Sequence, residues 1–347
     1  MMRGSLSDRN LESPTHAAKL SNPISPEMPV RFIVLTVLFA VAAHSHAQTT
    51  ASRPIRVLVG YPPGGSTDVT ARVVMDAAAK ALGQPIIIDN RPGAAGAIAN
   101  EALVRSAPDG QTLIVAPDSS LYQPVLNPAL SFRVEKHFTP ITLLTLQPIV
   151  IAVHPAPGWR TIADLIGAAR KRPGELAYVL PGATSTQAVV AGMFFRAAGV
   201  NLQSVPYKGG GQAVVDLVSG QVPVAVLGSA PLLPLARSGR VRLLAVTSKE
   251  RVKSLPDVPT LAESGYPQVN IAQWFGALAP AATPREVVMR LAAALTKALA
   301  DPAVVERLAA VALEPVGGSP EEFARRIQSE IVTWSRAAKE LKLGAQP

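Results

Sequence analysis

Along most of the chain, short runs of β-branched and aliphatic residues alternate with longer stretches whose apolar positions recur every three to four residues. Ile55–Gly60, Pro85–Asp89, Thr112–Ala116, Pro148–Val153, Leu176–Leu180, Val222–Leu227 and Arg242–Thr247 read as strands. Thr67–Leu82, Thr161–Arg172 and Gln187–Ala198 carry the helical period between them. Strands separated by helices of this length build parallel sheets, so the expected class is α/β. Two more helices are predicted at 284–300 and 320–342, with no strand between them. Thr283-Pro284-Arg285-Glu286 and Ser319-Pro320-Glu321-Glu322 both read as capping boxes with proline at the first helical position. No internal repeat and no Gly/Ser tether divides the chain. Two lobes would therefore be joined through strands, with Ile149–Val153 and Asn270–Leu278 as the expected crossings.

The first residues follow neither pattern. Arg31, the apolar run Phe32 to Ala43 and the small-x-small site Ser45-His46-Ala47 read as a secretory signal cleaved after Ala47. The run is too short to span a bilayer permanently. The signal begins at Met28, so residues 1–27 are expected to be an upstream start-site extension. The expected location is the periplasm.

Three turns then stand out, each lying between a strand and a helix. Gly60-Tyr-Pro-Pro-Gly-Gly-Ser-Thr-Asp68 has glycines for a sharp turn, Ser66 or Thr67 to cap the helix, and free helix N–H groups at the strand's C-terminal end. A plain structural turn has the same ingredients. Asn90-Arg-Pro-Gly-Ala-Ala-Gly96 repeats the logic, as does Val205-Pro-Tyr-Lys-Gly-Gly-Gly-Gln212, where Tyr207 offers a hydroxyl and a flat face and Lys208 a charge. None of them is a dinucleotide fingerprint or a P-loop. Together they would form three walls of one anion pocket.

Composition removes the competing chemistries. The 347 residues include no Cys, which excludes disulfides, thiolate metal sites, a cysteine nucleophile and a lipid anchor on cysteine. Past residue 47 the histidines are His137 and His154, in no metal spacing. Gly228-Ser229 lacks the second glycine of a hydrolase elbow, and Asp68 stands without a second carboxylate for acid–base work. No enzyme activity, cofactor or metal is expected. The formal charge of +9 is scattered, with short clusters at Arg170-Lys171-Arg172 and Arg325-Arg326 and no interleaved aromatics. That pattern suits attraction of anionic ligands rather than nucleic-acid binding.

In order and spacing, several motifs make the chain similar to the Bug/TctC family of extracytoplasmic solute receptors. They are Tyr61-Pro-Pro-Gly-Gly65 with Asp68, Asn90-Arg-Pro-Gly93 with Gly96, and Pro108-Asp-Gly-Gln-Thr-Leu113 followed by Asn127-Pro-Ala129. Val205 to Gly211 with Asp216, Leu244 to Thr247, Leu255 to Thr260, and Trp274 before Ala279-Pro280 complete the set, from about residue 53 to the C-terminus. The resemblance implies a type II periplasmic-binding-protein fold, with two lobes of mostly parallel sheet joined by crossing strands. Lobe 1 would be 48–153 plus 270–347, and lobe 2 would be 154–269.

It further implies a monomeric receptor that captures a small carboxylate (a dicarboxylate, an amino acid or an aromatic acid) for a membrane permease of the tripartite tricarboxylate type. The alternative is a receptor signalling to a membrane sensor kinase. The ligand residues it implies are Tyr61, Pro62, Gly64, Gly65, Ser66, Thr67 and Asp68, then Ser119 and Ser120, then Gly182, Thr184 and Ser185, and finally Tyr207, Lys208 and Gly209. One carboxylate would meet the N–H groups of Gly64 to Thr67. Ser185, Tyr207 and the Gly209–Gly211 amides would close over it. This chain departs from the family's usual His, Glu and Asp at Ala188, Gly192 and Leu227, which points to a less polar or aromatic acid.

Overall fold

The computed structural model describes residues 53–340. The expected secretory signal, its expected cleavage after Ala47 and the expected extension before Met28 lie outside the described residues. The strands are β1 (Ile55–Val59), β2 (Ile86–Asn90), β3 (Thr112–Pro117), β4 (Phe138–Val153), β5 (Ala177–Leu180), β6 (Gln203–Pro206), β7 (Val224–Gly228), β8 (Arg242–Val246), β9 (Ala272–Pro280) and β10 (Glu314–Gly317). Helices of eight residues or more are α1 (Ser66–Leu82), α2 (Ala97–Val104), α3 (Ile162–Lys171), α4 (Thr186–Ala197), α5 (Gly210–Ser219), α6 (Ser229–Arg237), α7 (Arg285–Leu299), α8 (Pro302–Ala309) and α9 (Pro320–Glu340). Single helical turns at Asp118–Leu121 and Gln123–Leu126 follow β3.

The sheet has two regions that share β4. In the first, β2, β1 and β3 run parallel, and β9 joins β3 to β4 antiparallel. In the second, β6, β5 and β7 run parallel, and β7 and β8 flank β4 antiparallel. The sheets are therefore mixed, with parallel pairing confined to the outer strands. Each region is covered on both faces by apolar side chains. One pair of cores, around Val57, Val74 and Leu295 and around Leu58, Leu103 and Trp274, belongs to the first region. The other pair, around Ile151, Phe194 and Leu261 and around Val150, Leu217 and Leu232, belongs to the second.

The expected crossing at Ile149–Val153 is the end of a strand that starts at Phe138. Only its last residues, Pro148–Val153, carry an unbroken strand pattern; Pro140 interrupts the first part, since proline cannot donate to a ladder. A register shift follows Pro140, and Pro148 sits where β4 changes partners: its last pair with β9 is Pro148 with Ala272. From Ile149 onward it pairs with β7. Thr247 pins this switch, its Oγ1 accepting from Ile149 N (3.0 Å) and donating to Ile271 O (2.6 Å).

Two expectations for the C-terminal part are corrected. Residues 300–319 are not a bare connection, because α8 and β10 lie there and β10 pairs antiparallel with β4. Four residues ending in Val-Gly carry too little period to read as a strand. Ser319 and Glu322 do form the reciprocal capping box, whereas Thr283 donates its hydroxyl to Pro280 O (2.7 Å) and caps nothing. Helices α7 and α9 pack against β4.

Candidate functional site: a cavity between two glycine turns

The turn from β1 to α1 is locked by one buried carboxylate. Asp68 Oδ2 accepts from Gly64 N (3.0 Å) and from Arg72 Nε (2.9 Å), and Oδ1 accepts from Asn90 Nδ2 (2.9 Å). Asn90 Nδ2 also donates to Tyr61 O, and Arg72 Nη2 donates to Asn90 Oδ1. Burial pushes the Asp68 pKa up, but the hydrogen bonds from Arg72, Gly64 and Asn90 together outweigh it and hold the carboxyl below its usual range. The second glycine-rich turn thus buttresses the first. At its far end Ala94 and Ala95 stand at positive φ, and Ala95 O accepts from Tyr61 Oη (3.1 Å).

Two expectations about this turn change. Gly64 needs its glycine for conformation (φ 83°), but its N–H is taken by Asp68 and is not free for a ligand. Gly65 is ordinary extended backbone, and neither Ser66 nor Thr67 caps α1. The donors left over are the first-turn amides of α1, Ser66 and Thr67 among them, which have no carbonyl a turn back to bond.

The turn from β6 to α5 faces this loop at contact distance. A methyl group on Gly209 would lie 2.8 Å from Pro62 Cδ, and one on Gly211 2.9 Å from Pro63 O. One on Gly65 would meet Gly211 N at 3.7 Å. Between the loops is a cavity of about 30 Å³, lined by Tyr61, Gly65, Ser66, Thr67, Pro117, Ser119, Pro181, Ser185, Gln187, Gly210, Leu227, Gly228, Pro231 and Gln273. That is room for about one or two water molecules. A wider groove of about 690 Å³ lies beside it, lined by Gly93 to Ala95, Gln123, Leu126, Asn127, Leu130, Pro181 to Thr184, Tyr207 and Lys208.

The residues named from the sequence are thus divided. Tyr61, Gly65, Ser66, Thr67, Ser119 and Ser185 line the cavity; Gly182, Thr184, Tyr207 and Lys208 line the groove. Pro62, Gly64, Asp68, Ser120 and Gly209 line neither and build the turns. Several hydroxyls are already engaged. Ser185 Oγ donates to Gly182 O (2.7 Å) and caps α4 through Ala188 N (3.2 Å). Ser120 Oγ donates to Pro117 O, and Thr184 Oγ1 to Gln123 Oε1. Tyr207 donates to Asp216, which pushes its pKa up to about 12, so it offers the groove its ring rather than its hydroxyl.

Sequence reasoning missed the floor of the cavity. Asp118, at the end of β3, is buried and accepts from Thr186 Oγ1 (2.6 Å) and Ser119 N (2.6 Å). Burial, with Glu330 adding, pushes its pKa up to about 7 against the pull of those donors. Gln187 and Gln273 are buried in the cavity wall. The signals were present: a polar residue at the C-terminal end of a strand, and a lone Gln in the apolar strand before Trp274. Trp274 itself is core, donating to Glu330 Oε2 (2.6 Å) and packing edge-on against Phe323. Among the described residues, no three His, Cys, Asp or Glu side chains converge in a way that could hold a metal.

A model of the tripartite tricarboxylate transporter family receptor, TctC, matches residues 70–343. BugT of Bordetella pertussis is 35% identical over 302 residues, which are 86% of this chain and 93% of BugT. Rpa4515 of R. palustris, solved with adipate, superposes with a TM-score of 0.81 at 31% identity, covering 85% of this chain and 99% of that one. MatC from Rhodopseudomonas palustris, solved with bound malate, gives 0.77 at 32%, covering 82% and 98%. The fold is that of the periplasmic binding proteins. In motif order, fold and matched length alike, the chain belongs to the Bug/TctC family of tripartite tricarboxylate transporter receptors.

Proposed function

We propose that this protein captures a small carboxylate outside the cytoplasmic membrane and delivers it to a permease of the tripartite tricarboxylate type, with no chemical change to the ligand. The observation that carries this reading is the first turn of α1, whose free amides at Ser66 and Thr67 border a cavity closed from the other side by the Gly209–Gly211 turn. Helix N-termini favour anions, and donors fixed in the backbone need no side-chain charge to hold one. The malate and adipate in the two related structures are carboxylates of the size this reading requires.

Residues 48–153 with 270–347 form one lobe in this account and 154–269 the other, and β4 and β9 carry the bend between them. The cavity is too small to hold an acid as it stands. The lobes open for entry and then close less tightly around the ligand, in a form populated because the ligand prefers it. The basic surface draws the anion in.

A thermal-shift screen of the chain from residue 48 against a broad carboxylate panel tests the reading. An acid at 100 times its dissociation constant should stabilise the fold by about 2.7 kcal/mol, a shift of a few degrees. Protein freed of co-purified ligand that shifts with none of the acids would refute the carboxylate assignment.

A further inference from the structure

Three buried glutamines meet beside the cavity, Gln187 and Gln273 in its wall and Gln147 behind them, and their hydrogen bonds run in one direction. Gln147 on β4 and Gln273 on β9 are cross-strand partners, and Gln187 stands in the first turn of α4. They are 1%, 5% and 2% exposed. Gln147 Nε2 donates to Gln273 Oε1 at 2.6 Å, and Gln187 Nε2 donates to the same oxygen at 2.9 Å. The Gln273 amide lies near Asp118 and lowers that group's pKa, as a donor does.

That end sets the rest. Above about pH 7, where Asp118 is ionised and only accepts, Gln273 turns its NH₂ toward it and its oxygen away. Its two neighbours turn their NH₂ groups to that oxygen and are left with their own oxygens. Oε1 of Gln147 and of Gln187 find no partner within the protein. Gln147 lies against Gly228, where a side chain would strike its amide. Gln187 is itself part of the cavity wall. A buried acceptor without a donor is costly, and Gln187 Oε1 is such an acceptor in a residue of the cavity wall.

Resting on the carboxylate-receptor reading above, we infer that Gln187 Oε1 is a specificity-determining acceptor. It takes a hydrogen bond from a hydroxyl or ammonium group that the ligand carries close to the carboxylate held by α1. Gln273 and Asp118 are positioning residues that keep this oxygen turned inward. Leu227, Pro117, Pro181 and Pro231 give the carbon skeleton an apolar wall. An acid without the donor leaves the acceptor unpaired, so the three family departures do not make the pocket apolar.

Calorimetric titration with matched acids decides it: succinate, malate and aspartate; butanoate with its 2-hydroxy and 2-amino forms; phenylacetate with mandelate and phenylglycine. At pH 8, in the set that binds, the hydroxy or amino acid should bind roughly tenfold or more tighter than its unsubstituted parent. In Gln187→Met that ratio should fall below about threefold, and Gln187→Glu, which still offers an oxygen, should keep it for the amino acid. The hydroxy and amino arms separate the two donors. Equal binding within every set, or a ratio untouched by Gln187→Met, would overturn the inference while leaving a carboxylate receptor. Failure of the wild-type protein to bind any acid would bring down the receptor reading and this inference with it.

Discussion

The cavity and the groove beside it are built from the same loops yet are opposite in kind. The cavity is about 30 Å³, walled by backbone, three prolines, Leu227 and two buried glutamines, and carries no Lys or Arg. The groove is about 690 Å³, open, and holds the exposed Lys208. The cavity's two glutamines are held by bonds between buried groups, whereas, Gln123 apart, the polar side chains of the groove are half-buried or exposed. On the proposed carboxylate reading, the contrast gives recognition to the cavity and approach to the groove. Electrostatic attraction at an exposed rim mainly changes association rate, while desolvated hydrogen bonds decide which ligand stays.

The largest effect is expected where the two turns touch. Gly65→Val suits the extended backbone there, so the fold should persist with an unchanged circular dichroism spectrum. Its branches would enter the space in front of Gly210 and Gly211, and acid binding should drop by about a hundredfold or more in calorimetry. Unchanged affinity would place the ligand elsewhere.

Next is Asp68, which holds the first turn. Asp68→Ala should cost about 1–3 kcal/mol in a denaturant titration, because it strands Gly64 N–H and the Asn90 amide. Its folded pKa is lowered, so the contribution is complete above the ordinary aspartate pKa and disappears as pH falls through the folded value. A variant as stable as the parent at pH 7 would show the turn to be held by packing alone.

Asp118 acts with the opposite sign. The folded protein holds its proton up to about pH 7, with Tyr61, Glu330, Ser119, Thr186 and Gln273 around it. The folded state therefore binds that proton more tightly than the unfolded chain, and stability should decline as pH rises from about 4 to about 7 and then level off. Asp118→Asn should flatten that decline, worth roughly a few kcal/mol at most, when thermal midpoints are compared between pH 5 and 8. A slope equal to the parent's would assign the decline to another group.

The smallest effect belongs to the groove. Lys208→Ala should slow association about threefold at low salt and change little at physiological ionic strength, as stopped-flow measurement would show. A hundredfold loss of affinity would move recognition out of the cavity and into the groove.

Much of this organisation is legible in the chain because it rests on local rules. A strand, a glycine turn and a helix make a pattern that the sequence displays three times, and all three turns fall at strand ends. What escaped depends on distant partners. Pro140 and Pro148 break the period of β4, yet the strand continues because partners change at Pro148. The four residues of β10 become a strand only against β4. Ser185 and Tyr207 look free as letters, but local bonds to Gly182, Ala188 and Asp216 use their hydroxyls. Gln187 and Gln273 are 86 positions apart and become a pair only when α4 meets β9.

A crystal structure grown with the tightest acid of the panel would test the account most directly. It should show one carboxylate on the Ser66 and Thr67 amides, between Gly65 and Gly210, with Lys208 outside the contact shell. An acid lying in the outer groove against Lys208 and Tyr207, with the cavity unchanged, would contradict it.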